Sequence, residues 1–223
     1  EYQPVLSQRK SITGTDHEYI GKIENLQFME QTFEDFKPDR VVHVATYPNA
    51  RMVKRNVLDA TNNMITATAY ILDLCVKHKV PLVITSLGAI PDEDVVPKPN
   101  TLYGSYKRQG EIMCKIWHRE HGLNYVIMRP SALYGEKDTI TRVISQLTKA
   151  ALTTGKMIVQ GPDNKLDFSN VLDVANYFAM ATTNEVTNET FNCTRGNGRK
   201  IMEAAEIIKS KLGVGEIVTK PHD

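Results

Sequence analysis

Three short apolar runs rich in valine and isoleucine constrain the fold of this 223-residue chain more than any other feature. They occupy residues 41–45, 81–86 and 125–128. Each run is continuous rather than alternating, which is typical of strands buried on both faces in a parallel sheet covered by helices. A helical pattern precedes each run, over residues 25–36, 60–78 and 103–120. This alternation predicts an α/β fold with a doubly wound parallel sheet and helices on both faces.

The pattern of predicted helices and strands changes near Gly135. Beyond it, helical patterns alternate with short strand patterns, over residues 141–154, 157–160, 172–181, 190–193 and 200–212. No flexible linker separates the two parts. We therefore predict an α/β domain over residues 1–135, followed by a mixed region over 136–223 that completes the sheet and forms a small cap.

Charge and cysteine content exclude several classes of protein. Lysine and arginine total 27 and aspartate and glutamate total 26, so the net charge is +1. A chain with so small a net charge has no overall electrostatic field that would attract nucleic acid or an anionic membrane. In addition, no apolar run approaches the ~20 residues that a membrane span needs. Cys75, Cys114 and Cys193 form no CxxC pair, which predicts buried free thiols in the reducing cytoplasm rather than disulfides or a metal site.

The pair Tyr103 and Lys107 is the strongest candidate for chemistry. Four residues apart, the two side chains share one helical face. A cation beside a phenol favours the phenolate and lowers its reference pKa of ~10 toward neutrality, which makes a general base. Only this register works, because Gly110 lies four residues after Tyr106. An exposed helical pair has the same spacing, but the position after a buried strand that ends in Ser86 favours the catalytic interpretation.

Ligands of open α/β sheets bind at the carboxyl ends of the strands. Polar or small residues lie at or just after the ends of all three apolar runs here, at 45–46, 85–86 and 129–131. The same segments also carry a family resemblance. Taken together, seven segments in chain order resemble the extended short-chain dehydrogenase/reductases, the NAD-dependent nucleotide-sugar epimerases and dehydratases with a Rossmann-like fold. They are residues 36–45, 62–64, 84–86, 103–107, 128–135, 167–175 and 191–193.

The resemblance implies a catalytic set of four residues. Tyr103 would take a proton from a sugar hydroxyl while a hydride passes to a nicotinamide. Lys107 would lower the pKa of that tyrosine and hydrogen-bond the nicotinamide ribose, and Ser86 would hold the reacting oxygen. Asn63 resembles the fourth member of the set, although an asparagine that caps or bridges helices would fit the same position.

The resemblance also implies the cofactor, NAD, with NADP left open, and no metal. It assigns cofactor binding and catalysis to residues 1–135 and substrate binding to the cap. His43 lies on the first strand, where a buried histidine with a satisfied partner is the expected interpretation. The implied cofactor-binding residues are Ala45, Thr46, Thr85, Tyr103, Lys107, Pro130 and Ser131.

Two departures from the family pattern shape the functional prediction. The N-terminal strand, glycine-rich turn and helix that bind the pyrophosphate have no counterpart, so we expect a piece of a longer protein and weak NAD binding by the chain as given. Leu87 and Gly88 occupy the positions where dehydratases carry an Asp-Glu pair, which favours an epimerase or a reductase over a dehydratase.

The resulting prediction is an NAD(P)-dependent enzyme acting on a nucleotide-linked sugar, with a 4-epimerase preferred. A sugar or ketone reductase remains an alternative, as does a non-catalytic relative that binds a nucleotide or a protein partner. The resemblance further implies a homodimer through the helices that contain Asn63 and Tyr103. Their apolar stripes are equally compatible with packing inside one protomer.

Overall fold

The structure, a computed structural model, describes residues 6–8, 18–88, 100–136, 138, 142–183 and 185–220. It divides into two compact units. The first unit comprises the chain up to residue 128 together with 180–191, and the second comprises 129–179 and 192–223. The functional division at residue 135 remains a prediction.

A four-stranded sheet forms the centre of the α/β architecture, as predicted. Its strands lie in the order β10-β5-β4-β3, and β3, β4 and β5 are parallel. Two further short strands, β1 and β2, form a separate parallel pair. The bounds are β1 Leu6–Gln8, β2 Glu18–Ile20, β3 Val41–His43, β4 Leu82–Thr85, β5 Tyr125–Pro130 and β10 Glu189–Cys193.

Helices connect these strands over the three predicted ranges, and two short helices that the periodicity did not predict follow β3. Local signals set several of their ends: the Asn25 side chain caps the first helix, Thr101 caps the longest, and Gly122 ends it with a φ of 72°. A glycine accepts this left-handed conformation without a steric penalty. The bounds are α1 Leu26–Phe36, α2 Ala50–Arg55, α3 Val57–Thr61, α4 Ala67–His78 and α5 Leu102–His121.

A π-helical turn over Asn62–Thr66 joins α3 to α4, so the single predicted helix contains an inserted wider turn. The Ala67 N–H bonds to the Asn62 carbonyl across this turn. Such turns are frequent at functional sites because they re-aim side chains. Here the turn carries Asn63 and Met64, both of which are buried.

The core of the first unit explains why the apolar runs become strands. Leu72, Leu82 and Ile127 are almost fully buried, together with aromatic and aliphatic residues of α1 and α5. Burial of each such side chain contributes about 1.5–3 kcal/mol. Cys75 and Cys114 also lie in this core as free thiols, and burial raises the pKa of Cys75 to about 12.

The second unit has its own core, formed by Leu147, Ala151, Met157, Val159 and Ala205. Three two-stranded sheets belong to it: β7 with β12, β6 with β9, and β8 with β11. The strands are β6 Ala132–Tyr134, β7 Lys156–Gln160, β8 Lys165–Leu166, β9 Phe168–Asn170, β11 Arg199–Lys200 and β12 Glu216–Lys220. The helices are α6 Val143–Thr153, α7 Val171–Thr183, which runs on into the first unit, and α8 Ile201–Leu212.

Cys193 is buried and free like the other two cysteines, as expected. Within the described ranges, none of the helices combines the length and apolar character that crossing a bilayer requires. Among the same residues, no group of three or more histidine, cysteine and carboxylate side chains is arranged to hold a metal ion.

Candidate functional site

A small cleft in the first unit lies where β3 and β4 end. Four of the predicted cofactor-binding residues line it: Ala45, Thr46, Thr85 and Lys107. Its enclosed cavity is about 20 Å³, which is room for about one water molecule. These four residues come from the carboxyl ends of the two parallel strands and from one face of α5. The fold thus brings together Ala45 and Lys107, which are 62 positions apart in sequence.

Lys107 is the most unusual side chain in this cleft. It is only 7% exposed, and its Nζ donates a hydrogen bond to the Thr85 backbone carbonyl at 3.2 Å. Burial lowers the pKa of Lys107 from 10.5 to about 8, because the ammonium loses its hydration in the interior. The group therefore titrates close to neutral pH, which is characteristic of functional lysines.

His43 lines the same cleft and has a fixed tautomer. Its Nε2 lies 3.2 Å from the Thr68 hydroxyl oxygen, and that hydroxyl donates its own proton to the Met64 carbonyl at 2.8 Å. Thr68 can then only accept from the imidazole, so Nε2 carries the proton and Nδ1 does not. Burial, with a smaller contribution from the charge of Lys107, lowers the pKa of His43 to about 3. The ring is neutral, as expected for a buried and satisfied histidine.

Two hydroxyl oxygens at the strand ends have no hydrogen-bond partner among the described residues. They belong to Thr46 and Ser86, and both are buried. The N–H of Ser86 donates to the Met128 carbonyl at 2.7 Å, which holds the backbone of this residue at the end of β4. An unsatisfied buried hydroxyl costs about 1–3 kcal/mol, so these two groups are available to a polar ligand.

Tyr103 and Tyr106 lie one turn apart on α5 but have different surroundings. Both pack against the apolar cluster of Val53, Ala60 and Met64. Tyr106 also lines the cleft, whereas Tyr103 and Ser86 are not among the described residues that line its cavity. The hydroxyl of Tyr106 lies 2.8 Å from the Thr61 hydroxyl, so this phenol is already engaged within the protein.

Asn63 is buried in the π-helical turn. Its Nδ2 donates to the Glu24 carboxylate at 2.9 Å and so ties this turn to the segment before α1. The other amide atom, Oδ1, is buried and has no partner within the described part of the chain. Asn63 therefore has the bridging contact that the structural interpretation predicts, and it also keeps an acceptor for a further group.

Pro130 and Ser131 belong to the second unit. Pro130 is the last residue of β5, and Ser131 separates it from β6. Both are half-buried, and Ala132 next to them donates its N–H to the Asp167 carbonyl at 3.1 Å. Their predicted role in cofactor binding remains a prediction.

Sequence reasoning missed Thr68 and the Thr61–Tyr106 pair as parts of the site. Thr68 is a polar residue among the apolar positions Ala67 and Ile71, and polar residues inside an apolar stripe need a buried partner. That signal was available in the sequence. The Thr61–Tyr106 bond joins residues 45 positions apart, which periodicity does not reveal.

Comparison with known proteins agrees with this architecture. Residues 5–194 match the NAD dependent epimerase/dehydratase family. An uncharacterized protein of Methanocaldococcus jannaschii is 24% identical over 95% of this chain, and a protein of the same organism named "Putative UDP-glucose 4-epimerase" is 32% identical over 82%. The chain spans 69% and 65% of the lengths of these two relatives.

Solved structures share the fold. The UDP-glucose 4-epimerase of Thermotoga maritima, whose structure was determined with UDP-glucose, superimposes on this chain with a TM-score of 0.87 at 24% sequence identity. The match covers 98% of this chain and 78% of the epimerase chain. The UDP-glucose 4-epimerase of Thermus thermophilus in complex with NAD has a TM-score of 0.83 at 19% identity, covering 95% of this chain and 74% of its own. The predicted Rossmann-like fold is therefore confirmed.

Proposed function

Because the chain belongs to the NAD-dependent epimerase/dehydratase family, among the extended short-chain dehydrogenase/reductases, we propose that it acts on a nucleotide-linked sugar as an NAD-dependent 4-epimerase. The observation that carries this proposal is the buried Lys107 ammonium in the cleft at the strand ends, four residues after Tyr103 on α5. A buried ammonium is costly, and an electrostatic task in the site is a reason to keep it.

The residues of the cleft fit the nicotinamide end of NAD. An ammonium has three donors, and Lys107 uses one on Thr85. The buried Thr46 hydroxyl lacks a partner among the described residues, so the cleft offers both a cation and a hydroxyl to a ribose. We assign Ala45, Thr46, Thr85, Tyr103 and Lys107 to NAD binding. For Pro130 and Ser131 the same role is proposed from the family resemblance alone.

When bound, NAD supplies a hydride acceptor that can return the hydride to the sugar. The tasks of this chain's residues follow from their chemistry. Tyr103 removes the proton of the sugar hydroxyl at its phenolic oxygen, and the Lys107 cation stabilises the phenolate form that does so. The Ser86 hydroxyl donates to the reacting oxygen, and the rigid end of β4 keeps this donor in place.

The positions after Ser86 bear on which reaction follows. A dehydration needs side chains there that remove one proton and donate another, and Leu87 and Gly88 can do neither. Both epimerases and dehydratases occur among the relatives; one named dTDP-D-glucose 4,6-dehydratase, from Dictyostelium discoideum, is 22% identical. The chemistry of Leu87 and Gly88 supports an epimerase or a reductase over a dehydratase.

A homodimer through the helices that contain Asn63 and Tyr103 is part of the proposal. Most of the apolar stripe on these helices packs inside the protomer, namely Met64, Ala67, Ile71, Leu74 and Met113. Ile112 is 36% exposed and Ile116 is half-buried on α5. These two residues are therefore the ones left for a partner protomer, and an Ile112→Glu variant should run as a monomer in size-exclusion chromatography with light scattering.

The test of the function uses the protein encoded by the full open reading frame that contains this chain, incubated with NAD and with UDP- and GDP-sugars and, in a parallel reaction for the reductase alternative, with NADH and a keto sugar nucleotide. Product analysis by NMR should reveal the C4 epimer with no net NADH formed or consumed. A 4-keto-6-deoxy product would identify a dehydratase, and net NADH consumption would identify a reductase. Absence of turnover with retained ligand binding in calorimetry would support the non-catalytic alternative instead.

A further inference from the structure

Two threonines flank the π-helical turn over Asn62–Thr66, namely Thr61 on α3 before it and Thr68 on α4 after it. Each uses its hydroxyl proton within its own helix, on the carbonyl four residues earlier. Thr61 donates to the Val57 carbonyl at 2.8 Å. Thr68 donates to the Met64 carbonyl, also at 2.8 Å. Because a threonine hydroxyl has one proton, both oxygens are left only as acceptors for any further bond.

Each of these two oxygens meets a ring from another element that lines the cleft. The Tyr106 hydroxyl on α5 lies 2.8 Å from the Thr61 hydroxyl oxygen. The His43 Nε2 on β3 lies 3.2 Å from the Thr68 hydroxyl oxygen. Since the threonines can only accept, Tyr106 and His43 are the donors. The helix around the π-helical turn therefore takes the one proton of each ring, and both rings keep only acceptors for other groups.

The Lys107 ammonium lines the same cleft and needs acceptors there. It has three donors, and one of them bonds to the Thr85 carbonyl at 3.2 Å. A phenol oxygen that directs its lone pairs at an ammonium stabilises the charged form, whereas a phenol O–H directed at it destabilises that form. Tyr106 immediately precedes Lys107 on α5. The direction of its O–H therefore bears on the charge of Lys107 and, through that charge, on the phenol of Tyr103.

The other groups around Lys107 supply little negative charge. Of the described residues that line the cleft, His43, Tyr106 and Lys107 are titratable, and the lining residues from β4, the π-helical turn and α4 carry no charge. On α5 itself, Glu111 lies one turn after Lys107, and its carboxylate pairs with Arg108 at 2.8 Å. Neutral acceptors are therefore the support that the cleft itself offers to the ammonium.

We propose that Thr61 is a positioning residue of this site: it accepts the proton of Tyr106 and so keeps the phenol oxygen as an acceptor for the Lys107 ammonium. Without the threonine oxygen, the phenol proton needs another acceptor, and an O–H that turns toward the cleft places a donor beside the ammonium. The charged form of Lys107 is then disfavoured. The inference rests on the proposed function only in giving this charge a task in the reaction.

NMR titration of the 223-residue chain, labelled at its lysine side chains, measures the pKa of Lys107 without any turnover. The Lys107 signal is identified by its absence in Lys107→Met. Thr61→Val keeps the shape of the side chain but removes the hydroxyl, and it should raise the acid dissociation constant of Lys107 about tenfold and so lower its pKa. Thr61→Ser keeps the acceptor and should restore the parent value. An unchanged pKa in Thr61→Val, or an equal change in Thr61→Ser, would overturn the inference.

A second substitution separates this role from a purely structural one. Tyr106→Phe alone removes an acceptor and should raise the acid dissociation constant of Lys107 by less than about threefold. Thr61→Val combined with Tyr106→Phe should match Tyr106→Phe, because no phenol proton is left to redirect. The pKa of Lys107 should therefore be higher in the double variant than in Thr61→Val. Additive effects of the two substitutions would contradict the inference.

Thr153 on α6 provides a matched control, because its hydroxyl also donates to the carbonyl four residues earlier, that of Lys149, at 2.8 Å. Thr153→Val should leave the pKa of Lys107 unchanged. Circular dichroism checks the folding of every variant, and Thr61→Ala gives the same test if Thr61→Val does not fold. In the protein encoded by the full open reading frame, the falling limb of the pH profile should move to lower pH in Thr61→Val and return in Thr61→Ser. A limb that stays in place while the pKa of Lys107 shifts would contradict the proposed function and not the role of Thr61.

Discussion

The Lys107 ammonium lies 3.2 Å from the Thr85 carbonyl oxygen, and this is its one hydrogen bond to a described residue, although the side chain is 7% exposed. The contact connects the first helical turns of α5 to the end of β4 across 22 residues. A charge in this position costs stability and leaves two donors for a ligand.

Replacement of Lys107 by methionine should make the protein more stable at neutral pH. Because burial lowers the pKa from 10.5 to about 8, the folded state is penalised below pH 8, and the penalty disappears as pH rises to 10.5. The variant also loses the hydrogen bond to Thr85, which offsets part of this effect. The free energy of unfolding of Lys107→Met should therefore exceed that of the parent protein by roughly 1–3 kcal/mol at pH 7 and by much less at pH 10.5. Urea unfolding at the two pH values measures this. The exposed Lys77→Met serves as control and should change stability by less than about 0.5 kcal/mol.

In the proposed mechanism, the activity of the protein encoded by the full open reading frame should fall as pH rises through about 8, because Lys107 would then lose the charge that stabilises the phenolate. Lys107→Arg keeps a charge at this position to far higher pH, since arginine is not deprotonated in proteins. Its kcat is expected to be lower, but the falling limb of its pH profile should move above about pH 10. A limb that stays near pH 8 in this variant would assign the titration to another group.

His43 should be the group through which acid destabilises the first unit. Its pKa is about 3 in the folded protein and 6.5 when unfolded, so the unfolded state binds the extra proton between these values. The contribution of the neutral His43 ring to the free energy of unfolding is complete above pH 6.5. The free energy of unfolding should therefore fall by about 3 kcal/mol from pH 7 to pH 4. His43→Gln, which can still donate to Thr68, should flatten this slope in denaturation experiments. The exposed His121→Gln should leave it as steep as in the parent protein.

Ser86→Ala should lower the activity of the protein without lowering its stability. The hydroxyl oxygen is buried without a partner among the described residues, so its removal should leave stability unchanged within about 0.5 kcal/mol or raise it slightly. Loss of a donor to the reacting oxygen should lower kcat by about 100-fold. Thermal unfolding and steady-state kinetics measure the two effects. A marked loss of stability with unchanged kcat would identify Ser86 as a purely structural residue.

Sequence periodicity was sufficient for the elements that position the site. Continuous apolar runs predicted β3, β4 and β5, and helical periodicity predicted α1, α4 and α5, since these signals act over a few residues. The strands β6, β8, β9 and β11 were not predicted, because two or three residues carry no measurable pattern. These strands exist through pairing partners that lie far apart in sequence.

The site itself could be predicted only in part. The residues Ala45, Thr46, Thr85 and Lys107 were predicted and lie together, because the carboxyl ends of parallel strands meet at one edge. The π-helical turn was not predicted, since periodicity over so few residues does not distinguish one wider turn from an ordinary helical turn. The hydrogen bond of Asn63 to Glu24 also depends on the tertiary structure, because the two residues are 39 positions apart in sequence.

The central claim, that Tyr103 is the base of the reaction, is tested most directly by two matched substitutions on α5. Tyr103→Phe and Tyr106→Phe each remove one phenolic hydroxyl from the same apolar cluster and keep the ring. We expect Tyr103→Phe to lower kcat for epimerisation at least about 1,000-fold with folding and NAD affinity retained. Tyr106→Phe should lose only its bond to Thr61, at a cost of about 1 kcal/mol in stability, and remain active. Unchanged turnover in Tyr103→Phe, or loss of turnover in Tyr106→Phe alone, would contradict the claim.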